Sequence, residues 1–328
     1  MIKKYSILIM ILVIIIFSII TTPYYLVIPG QGLELAKYVS AENGEKDAKG
    51  CFLLTSTSLT KANFLLYLYS FLDNHIELRE IDGNLPEHVS QEHYLAIMDK
   101  MMKESQMIAR VVALKKAGYF PEIVEKGVLV NNVLDTSSAK GRLMTGDIIT
   151  KINNTKVRNI SDFSACIEQF HIGEIIKIYF QRNESLYSTK IPIIDISMEN
   201  SKEKKLGVGL FLTKGEIQCQ FPLEVIINLD GIKGSSAGLM IALEILNQLT
   251  ENDLSNGLII AGTGILDIDG NIKPVDGIRQ KVISAKRNKA DVFFIPKQNY
   301  QEAARYNKNI KIIPVENFDE VIMKLIKL

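Results

Sequence analysis

The chain has 328 residues, enough for two domains of ordinary size, and 47% of them are hydrophobic, so a substantial core is expected. Its 38 basic and 37 acidic side chains leave a net charge of +1, without the basic surplus that nucleic-acid binding requires. The three cysteines, Cys51, Cys166 and Cys219, lie far apart and form no C-x-x-C pair. The pattern predicts neither a zinc site nor a disulfide framework, and no metal or other cofactor is expected.

An apolar run extends from Tyr5 to Ile28, directly after two lysines. A helix needs about 20 apolar residues to cross a bilayer, so this run is long enough. No small-x-small cleavage site follows it, which favours an uncleaved anchor over a signal peptide. Tyr24 and Tyr25 are expected at headgroup level, and the lysines favour an N-terminus inside the cell. The sequence therefore predicts a cytoplasmic tip and transmembrane anchor over residues 1–29, with the rest of the chain outside.

Residues 30–117 are predicted to form a mixed scaffold of a strand, a short helix and a long helix from about 90 to 117. The methionines of the long helix repeat at helical spacing and are interpreted as part of its core face. His75, His88 and His93 lie in charged surroundings and are interpreted as ordinary surface or turn histidines. No motif in this segment indicates chemistry.

Residues 118–196 predict a small β-rich domain. The order of a strand G-V-L-V from Gly127, the run G-R-L-M-T-G-D-I-I-T-K-I-N from Gly141, and a later helix resembles a bacterial PDZ domain. Such domains bind an extended peptide by adding it to a sheet edge, so the resemblance implies a module that reads substrate. A structural spacer of the same shape is the alternative. A polar, charged linker is predicted at 197–205.

The candidate nucleophile is Ser236, which lies between Gly234 and Gly238 where a loop leads into a strongly apolar helix. Gly234 permits a tight turn, so that amide N–H groups near Gly234 and Ser236 can point toward a bound carbonyl oxygen. The helix N-terminus favours negative charge at the same place. An ordinary helix cap is the competing interpretation of this serine.

The base that would activate this serine is not expected to be a histidine. The segment also fits the G-x-S-x-G elbow of α/β-hydrolases, which requires an acid and then a histidine after the serine. The last histidine of the chain is His171, well before Ser236 and in the PDZ-like segment. A lysine is therefore the expected base.

Lys281 is the lysine whose position is unusual. Together with Ile278, Val282 and Ala285 it follows the i, i+3, i+4, i+7 spacing of the apolar face of a short helix. Burial of an ammonium group lowers its pKa, and a neutral lysine can accept a proton from a serine hydroxyl. A lysine that extends to the helix edge is the competing interpretation. Thr263, in a preceding hairpin, is expected to donate a hydrogen bond that orients the lysine.

These residues resemble the proteolytic domain of Lon-type peptidases. Lys233-Gly-Ser-Ser-Ala-Gly is similar to the family's nucleophile motif, Lys281-Val-Ile-Ser-Ala-Lys-Arg to its lysine motif, and Thr263 to the threonine of its Thr-Gly turn. The resemblance implies a Lon-type α+β domain over residues 206–328.

Within that domain the resemblance implies roles for individual residues. Ser236 would be the nucleophile and Lys281 the general base, with Gly234, Ala237 and Gly238 in supporting positions around the serine.

Two residues depart from the Lon pattern. Ser235 replaces the usual proline, which leaves open which serine attacks, although the register with Ala-Gly favours Ser236. Lys233 stands where an acidic or small residue is usual, and its effect on the pKa of Lys281 stays open.

The whole chain is similar to the membrane-anchored PDZ–Lon peptidases of Gram-positive bacteria (the YlbL/SepM-like group). The fold class expected is α+β, with an N-terminal transmembrane helix, a PDZ-like domain and a Lon-type proteolytic domain. The resemblance implies an ATP-independent serine endopeptidase at the outer face of the cell membrane, acting on short secreted peptides or unfolded segments. The sequence contains no G-x-x-x-x-G-K-[ST] phosphate loop. A homo-oligomer is a further expectation, and a catalytically inactive, membrane-tethered peptide-binding scaffold is the alternative function.

Overall fold

The computed structural model describes residues 2–44, 49–80, 91–183, 185–197, 205–306 and 309–328. His88, the side chain of His93 and most of the predicted linker lie outside the described residues. The α-helices are α1 (Ile2–Ile19), α2 (Phe64–Ser70), α3 (Gln91–Lys116), α4 (Ile160–Ile167), α5 (Gly238–Gln248), α6 (Ile278–Arg287), α7 (Tyr300–Ala303) and α8 (Phe318–Leu325). The strands are β1 (Thr21–Glu34), β2 (Val39–Ala41), β3 (Cys51–Asn63), β4 (Glu77–Glu80), β5 (Glu122–Val133), β6 (Ile148–Ile152), β7 (Thr155–Lys156), β8 (Ile175–Arg182), β9 (Ser185–Pro192), β10 (Ile194–Asp195), β11 (Leu206–Gly207), β12 (Leu210–Gln220), β13 (Val225–Ile227), β14 (Ile259–Gly262), β15 (Ile265–Leu266), β16 (Ile272–Lys273), β17 (Val292–Pro296) and β18 (Lys311–Val315).

The chain divides into two compact units. The outer unit combines Met1–Phe120 with Phe221–Leu328, and the inserted unit is Pro121–Gln220. The segment predicted as a separate scaffold, 30–117, therefore belongs to the same unit as the C-terminal residues. The predicted start of the last domain, Leu206, falls inside the inserted unit, because β12 pairs with β5 along its whole length.

The outer unit is built on a six-stranded sheet with the order β18-β17-β14-β3-β1-β4. The strands from β18 to β3 are parallel neighbours, whereas β1 and β4 join in antiparallel pairs. All five residues of β17 are buried, as is typical of a parallel strand that is covered on both faces. Every residue of α5 is buried as well, so this helix lies inside the core and holds the loop that precedes it.

The inserted unit is an antiparallel sheet with the order β12-β5-β6-β8-β9, and β7 pairs with β6. The buried face of α4 contributes Phe163, Cys166 and Ile167 to its core. Asp147, in the predicted Gly-Asp turn, is fully buried and accepts two hydrogen bonds of 2.7 Å from the guanidinium of Arg182. This pairing satisfies a charge that would otherwise be costly to bury.

The predicted anchor over residues 1–29 differs from the structure from Thr21 onward. The helix α1 ends at Ile19, and β1 begins at Thr21. Pro23 explains the change, because a proline disfavours helical geometry at the residue before it and cannot donate a backbone hydrogen bond. Tyr25, expected at a membrane surface, is buried in β1 between β3 and β4.

Among the helices of the described residues, none combines the length and the apolar composition needed to span a bilayer.

Candidate active site

The loop between β13 and α5 presents the candidate nucleophile. Gly234 adopts a φ of 90°, a conformation that side-chain-bearing residues rarely adopt, and this turn brings Ser236 to the start of α5. The helix begins at Gly238 with Ala237 as its N-cap, and no side chain caps it. Ser236 is therefore not a helix cap. Its Oγ lies 2.9 Å from Nζ of Lys281.

The backbone of Ser236 is held by the turn that follows β14. The Ser236 carbonyl accepts hydrogen bonds from the N–H of Gly264 at 3.0 Å and from Oγ1 of Thr263 at 3.2 Å. A Cβ at Gly238 would lie 2.8 Å from Oγ of Ser105 and would displace that hydroxyl. Ala237 is buried beside Gly238. These contacts hold the serine hydroxyl in place before any substrate binds.

Lys281 lies on the buried face of α6, as the spacing predicts. Ile278, Val282 and Ala285 are fully buried, and Lys281 itself is only 5% exposed. Its ammonium group therefore does not extend to solvent at the helix edge. Burial lowers the pKa of Lys281 from the ordinary lysine value to about 8, and the carboxylate of Asp276 opposes this shift.

Thr263 completes the contacts of the lysine. Its side chain is fully buried, and its Oγ1 lies 3.2 Å from Nζ of Lys281, where it accepts a hydrogen bond from the ammonium. The hydroxyl proton is directed to the Ser236 carbonyl. The structure thus brings Thr263 to the lysine as expected, but as an acceptor from the ammonium rather than as a donor to it.

The arrangement can transfer a proton between an amine and a hydroxyl. At 2.9 Å, a Lys281 ammonium donates to Ser236 Oγ, and a neutral Lys281 amine accepts the hydroxyl proton. His171 does not take part, since it is 86% exposed in the inserted unit and contacts Glu174. Over the residues that the structure describes, no group of three or more His, Cys, Asp or Glu could hold a metal ion.

Comparisons with known proteins match both units. A family model of the Lon protease (S16) C-terminal proteolytic domain matches residues 194–327, and a PDZ domain model matches residues 105–193. The chain combines a PDZ domain with a Lon-type proteolytic domain. In the structure the PDZ unit continues to Gln220, and strands β1 to β4, which precede both matches, belong to the Lon-type unit.

The relatives are Lon proteases that are much longer than this chain. The Lon protease of Aster yellows witches'-broom phytoplasma is 28% identical over 159 residues, which is 47% of this chain and 18% of that protein. Lon protease 2 of Bacillus subtilis is 31% identical over 130 residues, 40% of this chain and 22% of that protein. The chain therefore spans less than a quarter of the length of either relative.

Solved structures match the PDZ unit. One is the crystal structure of the PDZ domain of an SdrC-like protein from Listeria monocytogenes, whose sequence is 26% identical. The match covers 26% of the present chain and 87% of the Listeria chain, with a TM-score of 0.24.

The Lon-type unit also contains contacts that the sequence did not predict, all made by α3. The carbonyl of Met98 accepts the Gly234 N–H at 3.0 Å, and the carboxylate of Asp99 pairs with Lys233 at 2.7 Å. Oγ of Ser105 donates to the Ser235 carbonyl at 2.9 Å. No motif marks these α3 residues. The one cue was the unusual lysine at position 233, which implies an acidic partner somewhere in the fold.

These contacts bear on the open role of Lys233 and on the two expected oxyanion donors. Lys233 is paired with Asp99, and the lowered pKa of Lys281 follows from burial rather than from a neighbouring cation. The Gly234 N–H, an expected oxyanion donor, is occupied by Met98. The N–H of Ser236 has no hydrogen-bond acceptor among the described residues, so it is free to meet an oxyanion.

Proposed function

We propose that this protein is a membrane-tethered, ATP-independent serine endopeptidase in which Ser236 and Lys281 form the catalytic dyad. The observation that carries this proposal is the 2.9 Å distance between Ser236 Oγ and a buried Lys281 Nζ whose pKa is about 8. A base with a pKa near the working pH combines a useful fraction of free amine with adequate basicity. The match to the Lon proteolytic domain gives the same two residues a peptidase context.

The reaction follows from the positions of these atoms. Neutral Lys281 Nζ accepts the proton of Ser236 Oγ as Oγ attacks the scissile carbonyl carbon. The oxyanion is stabilised by the Ser236 N–H and by the N-terminus of α5. The Lys281 ammonium then protonates the leaving amine as the C–N bond breaks, which gives an acyl-enzyme. Water attacks this ester, Lys281 accepts the water proton, and the proton returns to Ser236 Oγ as the acid product leaves.

The PDZ unit would hold the substrate. In its sheet β12 is the end strand next to β5, and α4 contacts β12, so an extended peptide can pair with the free edge of β12. Because β12 leads directly into Phe221 of the Lon-type unit, the strand that reads the peptide is continuous with the catalytic part of the chain.

The location and substrate class rest on composition. The described side chains of α1 include exposed isoleucines and leucines, and two lysines precede them, which supports an anchor with its N-terminus inside the cell. The sequence contains no phosphate loop, so substrates are expected to be already extended: secreted peptides or unfolded segments outside the membrane. Assembly into a homo-oligomer is part of the same proposal.

The test compares the full-length wild-type protein in detergent micelles with the variants Ser236→Ala, Ser235→Ala and Lys281→Ala. Each is incubated with casein and with a library of unstructured peptides, and products are identified by mass spectrometry. We expect cleavage by the wild type and by Ser235→Ala, and a loss of at least a thousandfold in the other two. Cleavage that survives Ser236→Ala would refute the mechanism.

One observation favours the alternative, an inactive peptide-binding scaffold. The Gly234 N–H is bonded to Met98, so one of the two expected oxyanion donors is occupied. A serine-reactive fluorophosphonate probe distinguishes the two functions. Labelling of the wild type but not of Ser236→Ala supports the peptidase, whereas a wild type that is unlabelled and inactive on every substrate supports the scaffold.

A further inference from the structure

A cluster of apolar side chains is exposed on α2 and the turn after it. Leu68 and Tyr69 are 44% and 51% exposed, and Phe71 and Leu72 are 64% and 83% exposed. Single exposed leucines are common on protein surfaces, but four large apolar side chains within five residues form a contiguous patch. We call Leu68, Tyr69, Phe71 and Leu72 the α2 surface.

The α2 surface is continuous with α1. The N–H of Phe64, at the start of α2, donates to the Ile20 carbonyl at 2.8 Å, and the rings of Phe17 and Phe64 meet edge to face with their centroids 4.9 Å apart. The side chains described at the C-terminal end of α1, among them Ile15, Ile16 and Ile19, are exposed and apolar as well. Two neighbouring elements thus present apolar side chains that nothing in the described fold covers.

We propose that the α2 surface lies in the interfacial layer of the same bilayer that takes α1. This inference rests on the membrane tethering proposed above and adds a second, separate contact with the lipid. It fixes the tilt of the Lon-type unit on the membrane, because Ile20 is the single residue between α1 and β1 and leaves no flexible tether.

The chemistry of α2 suits an interface between lipid and water. No charged residue occurs from Phe64 to Leu72. The ring of Tyr67 stacks on that of Tyr24 and meets that of Phe71 edge to face. Tyrosine, with an apolar ring and a polar hydroxyl, is enriched at the headgroup level of membranes.

Several polar groups of α2 and its flanks are hydrogen-bonded locally, as an apolar solvent requires. The side chain of Asn63 accepts the Leu66 N–H at 2.9 Å, and the Ser70 hydroxyl donates to the Tyr67 carbonyl at 2.6 Å. In the turn that follows, the Leu72 N–H donates to the Tyr69 carbonyl at 2.9 Å. These groups therefore lose little when water is replaced by lipid headgroups and acyl chains.

The contact has a consequence for substrate choice. Two residues of β3 relate the site to α2. The hydroxyl of Thr55 donates to the Gly262 carbonyl next to Thr263, and Asn63, at the end of the same strand, caps α2. Eight residues of extended strand span about 26 Å, which bounds the height of the dyad above the membrane. The substrates reached most directly are therefore extended segments of membrane-attached proteins close to the bilayer.

The test uses the full chain, which contains no tryptophan, so that each introduced tryptophan is a single reporter. Phe71→Trp reports on the α2 surface and Leu12→Trp on α1. Met323→Trp on α8 is the matched control, since Met323 is also apolar and 57% exposed. Each variant is reconstituted into vesicles of phosphatidylcholine and phosphatidylglycerol that contain lipids brominated near the headgroup or near the chain end. Circular dichroism and thermal unfolding of each variant show that it is folded, and Tyr69→Trp replaces any Phe71→Trp protein that is not.

We expect Phe71→Trp to be quenched several-fold more than Met323→Trp, and more by shallow than by deep bromines. Quenching of Leu12→Trp alone would leave the anchor in place and overturn this inference. No quenching of either reporter would overturn the membrane tethering and this inference together, without bearing on the dyad. A third outcome is that Phe71→Trp is not quenched by bromine but is shielded from acrylamide, and that this shielding increases with protein concentration. A second copy of the chain would then cover the α2 surface, which would equally overturn the inference.

Discussion

In the proposed mechanism, the protonation state of Lys281 decides when Ser236 can be activated. Its folded-state pKa is lowered to about 8 by burial, so below this pH the ammonium form dominates and cannot accept the serine proton. At pH 7 roughly one lysine in ten is a free amine, because each pH unit below the pKa lowers that fraction about tenfold. The rate therefore depends on how much Lys281 is buried.

We predict that kcat/KM rises with pH and levels off above about pH 8. Between pH 6 and 7 it should change about tenfold, as expected for one group that must lose a proton. The measurement is a pH–rate profile of the full-length protein on a short fluorogenic peptide that carries no ionisable group. A profile flat from pH 6 to 9 would contradict a lysine base.

Asp276 provides a way to shift this profile. Its carboxylate raises the pKa of Lys281 against the larger effect of burial. In Asp276→Asn the pKa of Lys281 should fall, and the rising limb should move to lower pH, so that the rate at pH 7 increases while the plateau is unchanged. Asp269→Asn removes an exposed carboxylate elsewhere in the same unit and should leave the limb where it is. If the rising limb of the pH–rate profile moved to higher pH in Asp276→Asn, the carboxylate would not act by raising the pKa of Lys281.

At the residue scale the sequence predicted the site where the pattern is local. Ser236 and Lys281 each lie in a short motif, and the helical spacing around Lys281 alone placed it on a buried face. The ion pair of Lys233 with Asp99 could not be predicted, because the two residues are far apart in the chain. From the sequence alone, the Lys233 ammonium could equally have paired with another carboxylate or faced solvent. Pairing of this kind depends on tertiary packing.

At the scale of elements, α3 acts on the nucleophile loop. Near its N-terminal end it meets Lys233 and Gly234 through Asp99 and Met98, and near its C-terminal end Lys116 pairs with Asp319. The Gly234 N–H can stabilise an oxyanion only if the Met98 carbonyl moves away. For a peptidase reaction that recruits this N–H as a second donor beside that of Ser236, the energy that holds this end of α3 in place adds to the barrier.

We predict that Asp99→Asn raises kcat at low ionic strength by up to about fivefold. Asp99 is half exposed and Lys233 is 34% exposed, so their ion pair contributes no more than about 1 kcal/mol, and about 1.4 kcal/mol corresponds to a tenfold change in rate. High salt should raise kcat of the wild type toward that of the variant, because salt screens an exposed pair. Asp319→Asn removes a carboxylate that pairs with the opposite end of α3 and is the matched control. A lower kcat in Asp99→Asn would mean that the pair supports the productive loop instead.

Elements with strong periodicity agree with the sequence, and elements decided by packing differ from it. Helices form at α5 and α6 as the sequence predicts, since apolar composition or spacing marks both. The sequence predicts one anchor over the N-terminal apolar run, yet from Thr21 onward the run is a strand in which Tyr25, Leu26 and Val27 are buried. A continuous apolar run fits a membrane helix and a buried strand equally well, and only pairing with β3 and β4 separates them.

At the scale of the whole molecule, the PDZ unit is an insertion in the Lon-type unit. The sheet of the outer unit pairs β3, which precedes the insertion, with β14, which follows it. Sequence order suggested successive domains, because it carries no sign of pairing between strands so far apart. The residues interpreted as a scaffold are thus part of the sheet in which β14 leads directly into Thr263, the residue that contacts both Ser236 and Lys281.

The same topology predicts which fragments fold. A fragment from Pro121 to the C-terminus keeps both matched domains almost complete but lacks β1, β3 and β4, and we expect it to be unfolded in its Lon-type part.

Replacing Pro121–Gln220 by a short Gly-Ser linker should leave the Lon-type unit folded, because Glu122 pairs with Gln220, which brings the two ends of the insertion side by side. This deletion variant should cleave a short peptide within about threefold of the wild-type kcat/KM and lose most activity on casein, since the PDZ unit no longer holds the longer chain. Circular dichroism and thermal unfolding of both proteins check the folding, and the ratio of the two activities checks the role of the insertion. An unfolded deletion variant beside a folded C-terminal fragment would contradict the topology, whereas equal loss on both substrates would show that the PDZ unit serves the catalytic unit in some way other than binding substrate.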